Sequence, residues 1–207
     1  MWLLILLLLT GEIKMVKLPE PRKDSNFSLE RAINERRSIR TYKDAPLTLK
    51  EVSQLLWAAQ GKVASGKRAA PSAGATYPME IYLVAGNVED LSPGLYKYIL
   101  DDHSLLLVKE GDLRKAVSER ALRQDMILKA PITIVISAVF ERTRARYGAR
   151  AERYVYMEAG HIGQNIYLQA TALGLGTVAV GAFIDDEVKR VLGIKEEPLY
   201  LFPVGWK

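Results

Sequence analysis

Apolar residues recur at helical spacing in three stretches of the chain. Ser28 precedes the first stretch and can cap a short helix. Thr48 and Glu51 have the spacing of a capping box, so a second helix is expected from there to Gly61. The longest pattern, residues 152–173, is apolar around most of its circumference. It predicts a helix that is buried in a core or in a subunit interface.

Runs of β-branched and aromatic residues bounded by glycine and proline predict the strands of the fold. The predicted strands are residues 80–85, 94–100, 104–108, 132–139, 177–181 and 199–204. The run at 132–139 is apolar on both faces, as expected of a central strand. Two shorter helices are predicted, one at 112–122 and one from an Asp185 cap to Gly193. Because helices and strands interleave without strict alternation, the predicted fold class is α+β.

The chain begins with a leucine-rich run, Trp2 to Leu9. This run is too short to cross a bilayer, which takes about 20 residues. It also lacks a basic residue before it and a small-residue cleavage site after it, so a signal peptide is not favoured. We therefore predict a cytoplasmic protein without stable membrane insertion. Residues 1–17 are expected to form an apolar arm covered by a partner subunit, and residues 18–207 one domain; alternatively, Met15 is the natural start.

Composition excludes several classes of chemistry. The 207 residues contain no cysteine, which removes disulfides, iron–sulfur clusters and cysteine nucleophiles, and only 2 histidines, so no metal centre is predicted. Redox chemistry would therefore require an organic cofactor. Lysine and arginine number 29 against 24 acidic residues, a net charge of +5. This excess suits nucleic acid, an anionic membrane face or a phosphate-bearing cofactor, and equally an ordinary solvated surface.

Three segments have residue types suited to binding a flat, anionic ligand. Residues 36–40 place three guanidinium groups and the Ser38 hydroxyl at a helix end, a combination that matches phosphate oxygens. Residues 71–75 are small, so their backbone can approach a flat ring closely. Glycines flank the predicted strand at 177–181, but they follow a helix and precede a strand, the reverse of a Rossmann motif. Each segment alone also fits a solvated turn or loop.

Taken in order along the chain, these segments and others resemble the FMN-dependent nitroreductase superfamily, most closely its SagB-type dehydrogenase branch. The segments that carry the resemblance are residues 18–21, 36–40, 55–61, 71–78, 158–165, 174–177 and 203–205. The resemblance implies a nitroreductase-like fold in which helices flank a central mixed sheet. It also implies a homodimer with FMN at the subunit interface and NAD(P)H as reductant. No catalytic side chain is expected, because flavin N5 carries the chemistry.

The resemblance also assigns the cofactor contacts. Arg36 and Ser38 are expected to hold the FMN phosphate, and Arg37 to lie on the phosphate and ribityl side. Arg40 is expected to reach the pyrimidine end, where a cation stabilises the reduced flavin. Residues of the second subunit are expected beside the ring, namely Pro71, Ser72, Ala73 and Gly74. Backbone N–H groups are expected to face flavin N5 around Val180, Gly181 and Ala182. Nitroreductases commonly continue into a basic tail, so either Lys207 supplies that charge or the arginines act alone.

The same resemblance bears on the substrate. SagB-type members that oxidise azolines have a Lys–Tyr pair where this chain has Arg146 and Tyr147. Lysine can act as a base, whereas arginine stays protonated, so azoline oxidation on a modified peptide is the alternative and not the favoured activity. We expect a small planar acceptor, a quinone or nitroaromatic, with Tyr77, Arg146 and Tyr147 in the substrate space. Ala75 departs from the asparagine that is common in nitroreductases.

Other interpretations stay open at this stage. The arginines between 142 and 153 form either a solvated loop or a rim that attracts anionic substrates such as NAD(P)H. His161 is expected to be a core or interface residue and not a catalyst. A basic nucleic-acid-binding module is the alternative of another class, although no binding motif supports it and no nucleic acid is expected as a partner. A flavin-binding protein without turnover is a third interpretation.

Overall fold

A computed structural model of the chain describes residues 14–207, so the leucine-rich run Trp2 to Leu9 of the predicted arm lies outside this range. The helices of the described part are α1 (Leu29–Glu35), α2 (Leu49–Gln60), α3 (Arg114–Arg120), α4 (Asp125–Lys129), α5 (Phe140–Tyr147), α6 (Ala151–Ala172) and α7 (Asp185–Leu192). The strands are β1 (Met15–Lys17), β2 (Met79–Ala85), β3 (Gly94–Ile99), β4 (Ser104–Glu110), β5 (Ile132–Ala138), β6 (Leu175–Thr177) and β7 (Glu197–Trp206). Short 3-10 turns lie at Ala73–Ala75 and Gly148–Arg150.

The strands form one sheet of seven in the order β1-β4-β3-β2-β5-β7-β6, and the neighbouring strands pair antiparallel. Parallel pairing enters at isolated bridges, of which the one between Ser38 and Thr177 bears on the site. Every residue of β5 is buried, as its apolar pattern on both faces predicts for a central strand. The α+β class and the central sheet flanked by helices are thereby confirmed.

Helices cover both faces of the sheet. On one face, α2 and α6 pack against alternate residues of β5, including Ile134 and Ile136. On the other face, α3, α4 and α7 pack against the intervening residues, such as Val135. Successive strand side chains point to opposite faces, so one apolar strand contributes to both layers of the core. Within residues 14–207, no helix combines the length and the apolar character needed to cross a membrane.

The helices begin where the capping residues predict. The Ser28 hydroxyl accepts a hydrogen bond from the Arg31 N–H at the start of α1. At the start of α2, the Thr48 N–H donates to the Glu51 carboxylate at 2.8 Å, which completes the expected capping box. The limits of α6 lie within one residue of those predicted.

Two local predictions are wrong. The strand expected at 177–181 is β6, three residues long and displaced towards the N-terminus, because pairing with β7 begins directly after the left-handed Gly174 at φ 75°. Asp185 does not cap α7, since Ile184 occupies the cap position without a side-chain hydrogen bond. Asp185 lies instead in an acidic first turn, where its charge complements the positive end of the helix dipole.

Candidate functional site

The basic segment, residues 36–40, leaves α1 and lies along the edge strand of the sheet. Ser38 forms a parallel bridge with Thr177 of β6, and the Ile39 N–H donates to the Thr177 carbonyl at 2.9 Å. Gly176 permits this approach, because a Cβ atom there would lie 2.6 Å from Ile39 Cγ2. The backbone of the segment is therefore fixed on the sheet, while Arg37, Ser38 and Arg40 remain exposed.

Tyr167 of α6 joins the basic segment to the chain that follows β6. Its hydroxyl lies 2.9 Å from Ser38 Oγ and accepts a hydrogen bond from the Ala179 N–H at 2.8 Å. The Arg36 guanidinium stands 5.1 Å from the centre of the Tyr167 ring. The sequence analysis missed Tyr167, whose signal was an aromatic residue on a helix expected to be buried. Its position orders the serine and one arginine that were predicted to bind phosphate.

The donors of this region have no competing acceptors. Within residues 14–207, Arg36, Arg37 and Arg40 form no ion pair. In the same described range, the exposed N–H groups of Gly181 and Ala182 donate no hydrogen bond. We call residues 36–40 together with 180–182 the basic half-site. It presents positive charge, a hydroxyl group and open backbone N–H groups, which is a donor set for phosphate and for a heteroaromatic ring.

Lys207 and His161 are less constrained by the structure. Lys207 is exposed and follows Trp206, which is paired with Leu175 of β6. Among the described residues it forms no hydrogen bond with the basic segment, so its predicted contact with FMN phosphate stays a prediction. His161 is exposed on α6 and is not a core residue of this chain, which leaves the interface interpretation.

The small-residue loop, residues 71–77, has an unusual backbone. Its 3-10 turn contains Gly74 at φ 57° and Ala75 at φ 54°, and Tyr77 follows at φ 45°. Positive φ values in residues other than glycine cost about 1–3 kcal/mol each and persist only where surrounding contacts hold them. The Ser72 hydroxyl provides one such contact, because it accepts a hydrogen bond from the Tyr77 N–H at 2.9 Å.

Helix α5 holds this loop from outside. Arg146 Nη1 donates to the Gly74 carbonyl at 2.9 Å, and Arg142 Nη1 donates to the Tyr77 carbonyl at 3.1 Å. A Cβ atom at Gly74 would lie 2.5 Å from the Tyr147 hydroxyl, so the tyrosine also covers the turn. The structure therefore brings together Tyr77, Arg146 and Tyr147, the predicted substrate residues. Most of the stretch that we considered as a solvated loop is helical, and its first three arginines, Arg142, Arg144 and Arg146, have structural partners.

Glu158 of α6 supports the same loop from inside. Its side chain is almost fully buried, at 2% exposure, and receives a hydrogen bond from Gln60 Nε2 at 3.4 Å. Burial raises the pKa of Glu158 above its ordinary value, although the Ser72 hydroxyl and Gln60 partly oppose the shift by hydrogen bonding. The sequence analysis assigned Glu158 no role. We call residues 71–77, with Arg146 and Tyr147, the loop half-site.

The two half-sites lie at different positions along α6. Tyr167 contacts the basic half-site, whereas Glu158 contacts the loop half-site, nine residues earlier. At the rise of an α-helix this separation is about 14 Å along the axis. Both groups of predicted residues are thus assembled, at separate points along the same helix.

Comparisons with known proteins agree with this architecture. Residues 33–206 match the nitroreductase family. The nitroreductase homologue MJ1384 of Methanocaldococcus jannaschii is 46% identical over 198 residues, which cover 95% of this chain and 98% of that protein. A solved nitroreductase-like structure from Ralstonia eutropha JMP134 has a TM-score of 0.81 and 30% identity, covering 93% of this chain and 89% of that one. The microcin B17-processing protein McbC of Escherichia coli is 26% identical over 178 residues, 83% of this chain and 64% of McbC.

Proposed function

Since the chain belongs to the nitroreductase family, we propose that it is an FMN-dependent oxidoreductase that moves hydride from NAD(P)H to a small planar acceptor, a quinone or a nitroaromatic. The observation that carries the proposal is the basic half-site. Three guanidinium groups without carboxylate partners stand beside a hydroxyl and two open backbone N–H groups. When bound, FMN would supply a ring atom, N5, that accepts and donates hydride.

The donor set fits FMN in a definite order. Arg36 and Ser38 would bind the phosphate, because guanidinium and hydroxyl donors match its oxygens, and Tyr167 keeps the serine in place. Arg37 would lie on the phosphate and ribityl side. Arg40 would place a positive charge at the pyrimidine end, which favours negative charge on the reduced ring. The N–H groups of residues 181 and 182 would face N5. All these contacts lie outside residues 1–17, the proposed arm.

A second copy of the chain would complete the site. The two half-sites contact α6 at points about 14 Å apart along its axis, and we propose that the loop half-site of a second copy lies over the ligand held by the basic half-site. The outer face of α6 is suited to such an assembly, since Tyr156 and Met157 are 56% and 47% exposed there. Gly160 is exposed within the continuous helix, with no neighbouring side chain within 4 Å of a Cβ position, and it costs about 1 kcal/mol in helix propensity. Close approach of a partner helix would explain this glycine.

The loop half-site would then form the other side of the acceptor space. Residues 71–74 of the second copy would lie beside the flavin ring, and their small side chains would leave room for a flat acceptor to stack. Tyr77 and Tyr147 would border this space, with Arg146 at its edge. A planar acceptor is expected because stacking on the ring places its atoms in reach of N5 without help from a catalytic side chain.

The test is purification after saturation with FMN, followed by assay with NAD(P)H and a quinone such as menadione. We expect the visible absorption of bound flavin and acceptor-dependent oxidation of NAD(P)H. A protein that binds no flavin under these conditions would contradict the proposal. Bound flavin without NAD(P)H consumption, for either a quinone or a nitroarene, would instead identify a flavin-binding protein without turnover.

An azoline dehydrogenase is the second candidate, and the similarity to McbC favours it. This enzyme would oxidise a heterocycle in a modified peptide, with the loop half-site facing the peptide. Arg146 opposes the assignment, because a guanidinium keeps its proton near neutral pH and does not act as a base. Incubation with an azoline-containing peptide and oxygen decides between the two: azole formation faster than quinone reduction would support the dehydrogenase.

A further inference from the structure

The acidic residues around the loop half-site are already engaged. Glu80 forms ion pairs with both Arg142 and Lys97. Glu141 of α5 and Glu152 at the start of α6 both pair with Arg144. Glu158 is buried beneath the loop. No exposed carboxylate near the loop is therefore left to neutralise further positive charge in this part of the described chain.

Three exposed arginines nevertheless occur between the end of α5 and the first turn of α6, namely Arg146, Arg150 and Arg153, and Arg146 contacts the loop. None of them forms an ion pair within residues 14–207. Arg146 uses one N–H for the Gly74 carbonyl, and a guanidinium carries five such donors. That single bond fixes the group at the loop without exhausting it. The Arg146 guanidinium is thus ordered before a ligand arrives, which reduces the entropy cost of binding.

We propose that the acceptor reduced at this site carries an anionic group, a carboxylate, sulfonate or phosphate on a planar ring, and that Arg146 binds it. The inference rests on the proposed function and narrows its substrate class. Arg146 is preorganised and can bind a carboxylate through two parallel hydrogen bonds, with the Tyr147 hydroxyl beside it at Gly74. Arg150 and Arg153 add positive potential that attracts such a molecule.

The experiment compares two acceptors that differ in charge, nitrobenzene and 4-nitrobenzoate, with the FMN-loaded enzyme. The enzyme is reduced first and then mixed with the acceptor, so that reoxidation is measured apart from the reaction with NAD(P)H. We expect kcat/KM to favour 4-nitrobenzoate, and this preference to weaken as salt is raised. In Arg146→Gln the preference should fall by about tenfold, the usual effect of losing one charge-assisted hydrogen bond.

Arg144→Gln is the matched control, since Arg144 lies two residues away and is already neutralised by Glu141 and Glu152. It should leave the preference between the two acceptors unchanged. An equal fall in Arg144→Gln would overturn the assignment to Arg146, because it would show that only the overall charge matters. Arg146→Lys, which keeps the charge and one donor to Gly74, should restore part of the preference.

Failure of the inference can be separated from failure of the proposed function. If neither acceptor reoxidises the enzyme, the proposed function fails. If both are reduced equally well and independently of salt, the acceptor need not be anionic and the inference is overturned. The inference is also overturned if Arg146→Gln slows only the reduction of the enzyme by NADPH, because Arg146 would then bind a phosphate of the reductant. If Arg146→Gln slows both acceptors equally, the preference is unchanged and the assignment of the anionic group to Arg146 is overturned.

Discussion

The two half-sites are built on opposite principles. In the basic half-site, the backbone is held on the sheet by isolated bridges, and the donors are left without partners, as Arg37, Arg40 and the Gly181 N–H show. In the loop half-site, the backbone is strained at Ala75 and Tyr77, and nearly every polar group around it is engaged in holding it. The first region has free donors that can bind a negatively charged group, whereas most polar groups of the second hold the backbone of the loop in place.

This difference indicates separate tasks. Unpartnered guanidinium groups on a firm support gain most when an anion arrives, so they suit tight retention of a cofactor phosphate. In the proposed enzyme, the strained turn held by Arg142, Arg146 and Ser72 would give a defined surface for a substrate that must leave again. In the proposed assembly, a second copy of the chain brings the two regions together. A mutation can therefore disturb one half-site and leave the other intact. A mutation between the two copies can disturb the assembly and leave both half-sites intact.

The largest effect is expected from Gly160→Leu on the outer face of α6. If a partner helix approaches at Gly160, the leucine side chain blocks the contact, and both dimerisation and flavin binding should be lost together. Light scattering gives the mass, and absorbance gives the bound flavin. Glu119→Leu, at an exposed position of α3 on the opposite face of the sheet, is the control for adding an apolar side chain. A Gly160→Leu protein that stays dimeric with full flavin would contradict the proposed assembly.

The next effect concerns the basic half-site alone. Arg36→Ala and Arg40→Ala should each weaken FMN binding by about tenfold to a hundredfold, because each removes a charge-assisted contact. Arg31→Ala is the matched control, since Arg31 lies one turn earlier and pairs with Glu35 at 2.7 Å. Titration with FMN measures all three, and the mass of the dimer should not change. Equal losses in the three variants would mean that general positive charge binds the flavin.

Much of this comparison was readable in the sequence, where local chemistry decides local structure. The capping box at Thr48 and Glu51 and the cap at Ser28 define their helices because the side chains bond to neighbouring backbone. The strand at 132–139 was predicted to be central because it has apolar residues on both faces. The basic segment was also identified, since three arginines around a serine are recognisable in the sequence. The membership of the chain in the nitroreductase family is confirmed by the match over residues 33–206.

The loop half-site was harder to predict, for physical reasons. Ala75 and Tyr77 rarely adopt positive φ, and no residue type there signals it; the conformation results from contacts with α5. Helix α5 was itself missed, because only Thr143 of its residues is buried and the arginines read as a solvated loop. The separation of the half-sites along α6 depends on tertiary packing and is not contained in any local pattern.

The smallest effect is expected from Glu158→Gln, which tests the support behind the loop half-site. Burial raises the pKa of Glu158 above its ordinary 4.5 in the folded state. In the pH range between the two pKa values the folded state holds a proton that the unfolded state has lost, so the free energy of unfolding decreases as pH rises through this range. Each unit of separation corresponds to about 1.4 kcal/mol. Glutamine is neutral and similar in shape, and it avoids this loss.

The melting temperature of Glu158→Gln relative to the unmodified protein should therefore rise with pH, starting near equality under acidic conditions. Glu152→Gln is the control on the same helix, because the Glu152 side chain is 63% exposed and its relative stability should vary little with pH. Kinetic measurements on Glu158→Gln test the comparison as well. If the carboxyl acts through Ser72 on the loop alone, Glu158→Gln should alter KM for the acceptor and its pH dependence, while FMN affinity stays unchanged. A loss of FMN affinity equal to that in Arg36→Ala would show that the two half-sites are not independent, and the division of tasks between them would have to be abandoned.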